Sequence, residues 1–197
     1  MHSFVDQVDG NQYLYTQFAA DYCRYVFLFF DQPDLKTFWS FSCKTEEDWN
    51  VISNEAESVI PGPEAQSALD DSLSRTAETF RGKAETTPTN SKLVFFDPSF
   101  KISTYLYAIV VGPFGFHERV KDGYPKMRIY ARKSLMEDVK YEEMFDVTEC
   151  GMDFYKGFFG EPYPFRKYDQ VFVPEHNYGA MENVGCVTYN EHYMYRG

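Results

Sequence analysis

Aromatic side chains limit the fold of this chain more than anything else in it. The 19 Phe, 16 Tyr and 2 Trp account for 19% of 197 residues, and they fall in short runs separated by turn-forming residues. Aromatics pack well on a pleated, half-buried surface, so short aromatic runs favour a β-rich core. Asp9-Gly10-Asn11 is a turn signal ahead of Tyr13-Leu14-Tyr15. A mixed aromatic segment from Ala19 to Phe30 is broken by Asp31-Gln32-Pro33-Asp34. Thr37 to Cys43 then alternates in the manner of a half-buried strand, and Trp49 to Ser53 reads as another, closed by Asn54.

Composition shifts from Pro61 to Lys92, where Pro, Ser, Thr, Ala and Glu replace large apolar residues. The segment 61-92 is expected to be a long surface insertion with one helical turn near Ala68 to Leu73. Strand composition returns at Lys92 to Phe96 and Ser103 to Val111, and Gly112-Pro113 ends the second run. Lys126 to Ala131 alternates like an edge strand. Ser134-Leu135-Met136-Glu137 has the spacing of a capping box. Leu135, Val139, Phe145, Met152, Tyr155 and Phe159 follow at spacings that suit one helical face, with Gly151 inside the run. Gly160 and Pro162 stop it. Tyr168 to Val173 and Val184 to Tyr189 are expected strands around the loop Pro174 to Asn183. The order predicts a β domain over 1-117 and the opening of an α/β domain over 118-197, joined near His117.

Charge narrows the partners. Asp plus Glu outnumber Lys plus Arg by 30 to 19, a net charge of -11 that repels phosphate backbones and anionic lipid. No nucleic acid is expected as a partner. The segment Met1 to Gly10 has no basic residue of the kind a signal peptide carries, and the most apolar stretch, Thr104 to Phe116, is too short to span a bilayer. Cys23, Cys43, Cys150 and Cys186 are far apart and form no C-x-x-C, so they read as free thiols in a reducing compartment, which favours the cytoplasm.

No catalytic centre can be assembled from the residues alone. His117-Glu118-Arg119-Val120-Lys121 opens like the zinc motif H-E-x-x-H but ends in Lys, and Glu191-His192 lacks a second histidine. There is no phosphate-cradling glycine loop and no G-x-S-x-G elbow. No catalytic residue and no metal ligand is therefore assigned.

One segment is specific. Gly179-Ala180-Met181-Glu182-Asn183 reads G-A-M-E-N, preceded by Tyr163-Pro164-Phe165-Arg166-Lys167-Tyr168-Asp169 and followed by Val184-Gly185-Cys186-Val187-Thr188-Tyr189-Asn190-Glu191. These strings resemble, in order, the substrate-binding strand and flanks of the aminopeptidase N family, the gluzincin zinc metallopeptidases. Upstream, Thr16-Gln17-Phe18, Phe30 to Lys36, Asp48 to Asn54 and Ser103 to Gly112 resemble further family segments in family order. Only 61-92 finds no counterpart. Ala19 and Gln32 stand where the family has glutamates.

The resemblance implies a mainly β, α+β fold: an incomplete sandwich or saddle of β-strands, then the start of a thermolysin-like α/β catalytic domain. It implies a portion of an enzyme that removes N-terminal residues from peptides. A carboxylate beside a cleft can hold a free α-ammonium through a short charge-assisted hydrogen bond, and the resemblance gives that role to Glu182. Gly179 and Ala180 would let an extended peptide approach the backbone and pair as an added strand. Met181 would offer a flexible apolar wall, Asn183 would hold the loop's shape, and Gln17 would line the first pocket. Zinc belongs to the complete family enzyme, whose ligands come later than Gly197, so this chain alone is expected to bind none and to be inactive. The expected partners are a peptide with a free N-terminus and the remaining catalytic half or other subunits. A non-catalytic, aminopeptidase-like scaffold or peptide-binding subunit of a larger complex is the alternative.

Overall fold

The computed structural model describes residues 1–58 and 90–195, so most of the expected insertion, with its helical turn near Ala68 to Leu73, lies outside the described residues. Among the described residues, eleven strands form three sheets. Strands β1 (His2–Val5), β2 (Gln12–Tyr15), β4 (Asn50–Ser53) and β6 (Ile109–Gly112) make an antiparallel sheet in the order β1-β2-β6-β4. Strands β3 (Ser42–Glu46) and β5 (Ser91–Phe95) form a separate antiparallel pair. The third sheet has the order β10-β11-β9-β8-β7, built from β7 (Phe114–Arg119), β8 (Lys126–Arg132), β9 (Lys167–Val173), β10 (Ala180–Met181) and β11 (Cys186–Asn190). Its three inner strands are parallel and its two outer strands antiparallel.

Period-two alternation stacks these elements into layers. Val51, Ile109 and Val111 project from one face of the four-stranded sheet onto Val94, Phe96 and the Trp39 and Phe41 rings. Ile52, Ala108 and Val110 project from the other face, where they meet Tyr130, Val171 and Val173 of the third sheet. The far side of that sheet turns Met127, Ile129, Ala131 and Phe172 toward Phe145 of the single long helix α1 (Tyr141–Phe159). The order is therefore strand pair, sheet, sheet, helix, which is the mainly β architecture expected, with α1 crossing over between parallel β8 and β9.

Several local expectations are corrected. The alternating run from Thr37 does not form a strand until Ser42; Thr37 makes only an isolated bridge to Ile102, and Trp39 stacks on Tyr107 at 4.1 Å. The Ser103 to Val111 run is broken by a 3-10 turn at Thr104–Leu106 before β6 begins. The strand from Lys126 is not an edge: β8 pairs on both sides, and Met127, Ile129 and Ala131 are fully buried. The capping box does not form. Ser134 lies in a 3-10 stretch and donates instead to Asp6 Oδ2 at 2.6 Å, while α1 starts at Tyr141 without a side-chain cap. The helix does run unbroken through Gly151 and ends at Gly160, whose φ of 77° permits the left-handed cap. Its expected apolar face is only partly covered: Phe145 is buried, whereas Tyr155 and Phe159 are exposed beside Val147, Phe154 and Phe158. His117 lies inside β7, and the chain passes from the first sheet to the third between Gly112 and Phe114.

Two buried charge clusters tie the layers together. Arg132, at the end of β8, donates through Nε and Nη2 to both oxygens of Glu191 at 2.9 Å and through Nη1 to Asp6 in the turn after β1. Lys167 donates to Ser53 O at 2.6 Å, Gly185 O at 2.9 Å and Asp169 Oδ2 at 2.5 Å. One ammonium thus fastens β4 of the first sheet to β9 and the turn before β11. A lone buried charge would be costly, and three acceptors at short range offset that cost.

Candidate functional site

The G-A-M-E-N segment forms the outer edge of the third sheet. Ala180 and Met181 pair antiparallel with Tyr189 and Thr188, and β10 has no strand on its other side among the described residues. Ala180 is exposed, Met181 is buried at 5% exposure, Glu182 is exposed and Asn183 is buried at 2%. Met181 therefore packs inward while Glu182, next along the chain, turns to solvent, as the alternation of an extended edge requires. Glu182 makes no hydrogen bond or ion pair among the described residues. Its carboxylate is available.

Asn183 holds the turn behind the strand. Its carbonyl accepts from Cys186 N at 3.1 Å, and its amide lies 3.4 Å from Thr188 Oγ1. The loop ahead of the strand is pinned at several points. Tyr15 donates its hydroxyl to Glu175 O at 3.1 Å, at a residue with φ of 51°, a backbone conformation few non-glycine residues adopt. Burial, with the Glu175 charge second, raises the Tyr15 hydroxyl to about 12, so it remains a donor. The Tyr15 ring is stacked between His2 at 4.7 Å and His176 at 5.7 Å. The His176 ring also meets Tyr178 O at 2.8 Å and Thr188 Oγ1 at 3.1 Å. Burial lowers the pKa of His176, favouring the neutral ring. His176 thus packs the loop against Tyr15 and β11.

Gln17 enters from the end of β2. Its Oε1 accepts from Ala19 N at 3.0 Å, whereas its Nε2 is buried without a hydrogen-bond partner among the described residues. Gln17 and Phe18 line a cavity of about 430 Å³ whose opposite wall is Asn177 and Tyr178, the loop just ahead of Gly179. The structure thus brings Gln17 to the G-A-M-E-N loop, although Glu182 is not among the residues lining that cavity. Sequence reasoning missed two residues here. Asn190 donates from its main chain to Gly179 O at 2.9 Å and from its amide to His176 O at 3.0 Å. Tyr193 comes so near Gly179 that an added Cβ would lie 2.8 Å from its hydroxyl. Neither contact leaves a trace in local spacing.

The described residues do not fit a metal. No group of three His, Cys, Asp or Glu side chains is placed to hold a metal ion among them, and His117 is stacked on Tyr141 at 3.7 Å.

A model of the Peptidase family M1 domain matches residues 143–196, from within α1 through β9, β10 and β11 and beyond. Aminopeptidase N of Streptomyces lividans is 40% identical over 199 residues, covering 100% of this chain and 20% of the relative. The chain belongs to the aminopeptidase N family. Aminopeptidase N of Homo sapiens is 32% identical over 177 residues, covering 89% of this chain and 16% of its own length. Tricorn protease-interacting factor F2 of Thermoplasma volcanium is similar at 32% over 177 residues, covering 89% of this chain and 18% of its own length. The chain therefore spans between 16% and 20% of the length of these relatives.

Proposed function

We propose that this chain is the portion of a zinc aminopeptidase that captures the N-terminus of a peptide. The observation that carries this reading is the free edge of β10, with an unpaired, exposed carboxylate at Glu182 directly after it. A peptide laid antiparallel along that edge completes its backbone hydrogen bonds as an added strand, which requires no particular side chains. Its α-ammonium then needs an anion at one fixed point, and Glu182 supplies it. Exopeptidase selectivity follows, because an internal peptide segment has no ammonium at that point.

The remaining residues position the peptide. Gly179 and Ala180 put little or no side chain at the exposed edge, where the Tyr193 hydroxyl already lies close to Gly179, and Met181 forms an apolar wall from the buried side. Asn183 keeps the turn that presents Glu182. Gln17 lines the cavity shared with Asn177 and Tyr178, and its Nε2, buried without a hydrogen-bond partner among the described residues, can donate to the first residue's backbone once the side chain turns toward it. The complete enzyme's zinc would supply the water nucleophile and polarise the scissile carbonyl. The exposed aromatic face of α1, with Phe154, Phe158 and Phe159 at 64%, 71% and 68%, supports a chain that works packed against further polypeptide. Comparing the binding of one short peptide with its N-acetylated form tests the proposal. Preference for the free amine is expected, and equal binding would contradict it.

A further inference from the structure

A different cavity, of about 270 Å³, lies between the two large sheets, away from the residues of the β10 edge. The end of β4 and the loop after it contribute Ser53, Glu55 and Glu57; β8 and β9 contribute Arg128 and Asp169; Arg166 stands at the opening. Three of its charged groups are short of partners. Asp169 is 3% exposed; its Oδ2 is bonded to Lys167, yet its Oδ1 is buried with no hydrogen-bond partner among the described residues. Glu55 is 4% exposed; it accepts from the main chain of Phe100, and its ion pair with Arg166 Nη1, at 3.8 Å, is too long for a hydrogen bond. The Arg166 side chain is 56% exposed and lies 3.6 Å from Asp97, again without a hydrogen bond.

These groups restrict what can fill the space. The buried carboxyls of Glu55 and Asp169 disfavour a simple anion, and Arg128 and Arg166, with Lys126 and Lys167 also in the lining, disfavour a simple amine or metal cation. A ligand with a donor cluster at one end and a carboxylate at the other satisfies both. The volume is below the roughly 300–1,000 Å³ of sites for drug-sized molecules, so a single small zwitterion fits better than a peptide. We propose that this cavity binds a free α-amino acid, with its ammonium toward Asp169 and Glu55 and its carboxylate on Arg166. Burial raises the pKa of both carboxyls, which an arriving ammonium would reverse. The ligand bridges the same two sheets that Lys167 joins, so it would also stiffen their contact.

Titration calorimetry of the full 197-residue chain with L-alanine tests this, with acetate and methylammonium as single-charge probes. L-Alanine should bind saturably, and each single-charge probe should bind about tenfold more weakly or worse, as loss of one charge-assisted bond predicts. Arg166→Ala should weaken L-alanine about tenfold while leaving the circular dichroism spectrum unchanged, since its side chain is largely exposed. Glu182→Gln should leave this binding intact, which separates the cavity from the β10 edge. The proposal is overturned if L-alanine shows no saturable binding up to its solubility, if acetate binds equally well, or if Glu182→Gln rather than Arg166→Ala removes the binding.

Discussion

The main-chain N–H of Asn190 donates to the carbonyl of Gly179 at 2.9 Å and so fixes where the G-A-M-E-N strand begins. The same residue reaches back with its amide to His176 O at 3.0 Å. The last residue of β11 thus holds both ends of the loop that precedes the proposed peptide edge. Asn190→Ala keeps the first bond and removes the second, a loss of about 1 kcal/mol. Hydrogen exchange should quicken in residues 174–181 and stay unchanged in β8 and β9. Unchanged exchange in the loop would show that the amide does not restrain it.

Gly185 and Gly179 should respond very differently to alanine. At Gly185, with φ of 67°, an added Cβ would lie 2.3 Å from the Asn54 carbonyl oxygen, a backbone atom that cannot yield cheaply. Asn54 itself bonds Leu106 O, Val184 O and Ala108 N, so any shift spreads across both large sheets. Gly185→Ala should cost about 3 kcal/mol or more in urea unfolding. At Gly179 the obstacle is the far end of the Tyr193 side chain rather than a backbone atom. Gly179→Ala should cost less than about 1 kcal/mol while weakening peptide binding. Equal destabilisation would contradict the assigned contacts.

His176 should titrate below the ordinary histidine value of 6.5, because burial disfavours its charged form and the nearby His2 adds to this. Its folded pKa is depressed relative to the unfolded chain. The stability linked to it is therefore present above about pH 6.5 and is lost as pH falls through the folded value. Imidazole NMR shifts followed from pH 8 to 4 report the value directly. A His176 pKa at or above 6.5 would mean the Tyr15 stack is open in solution.

Lys167→Met should destabilise strongly. It strips Asp169 of its ion pair and leaves Ser53 O and Gly185 O without this donor. Breaking one side of a buried pair costs about 3–5 kcal/mol. Adding Asp169→Leu to Lys167→Met should recover a substantial part of that loss, since no lone charge then remains buried. Urea midpoints of the single and double variants decide it, and a double variant no more stable than the single one would contradict the account.

What could be read from the sequence was what local pattern or fixed strings encode. Strands β2, β4, β5, β9 and β11 carry continuous aromatic or β-branched runs, and the end of α1 carries its Gly-then-Pro stop. Strand β8 looked like an edge because Lys126 and Arg128 alternate with apolar residues, yet their side chains reach Glu118 on β7 and the strand is paired on both sides. Ser134 failed to cap because Asp6, distant in sequence, takes its hydroxyl. Short β1 was overlooked because only half of its four residues are partly buried. At the site, Glu182 and Gln17 were legible only through the family strings. The clasp by Asn190 and the Tyr193 contact depend on tertiary approach, which spacing does not encode.

The central claim is that Glu182 captures a free α-ammonium at the β10 edge. The most direct measurement is calorimetric binding of one short peptide, free and N-acetylated, to the wild-type chain and to Glu182→Gln. For the wild type the free peptide should bind more tightly than its acetylated form. In Glu182→Gln the free peptide should lose about ten- to a hundredfold in affinity, the equivalent of roughly 1.5–3 kcal/mol for a hydrogen bond to a charged group, while the acetylated peptide scarcely changes. Gln17→Ala should give a smaller loss in the same direction. Equal losses for the free and acetylated peptides would contradict the account and make Glu182 a structural residue.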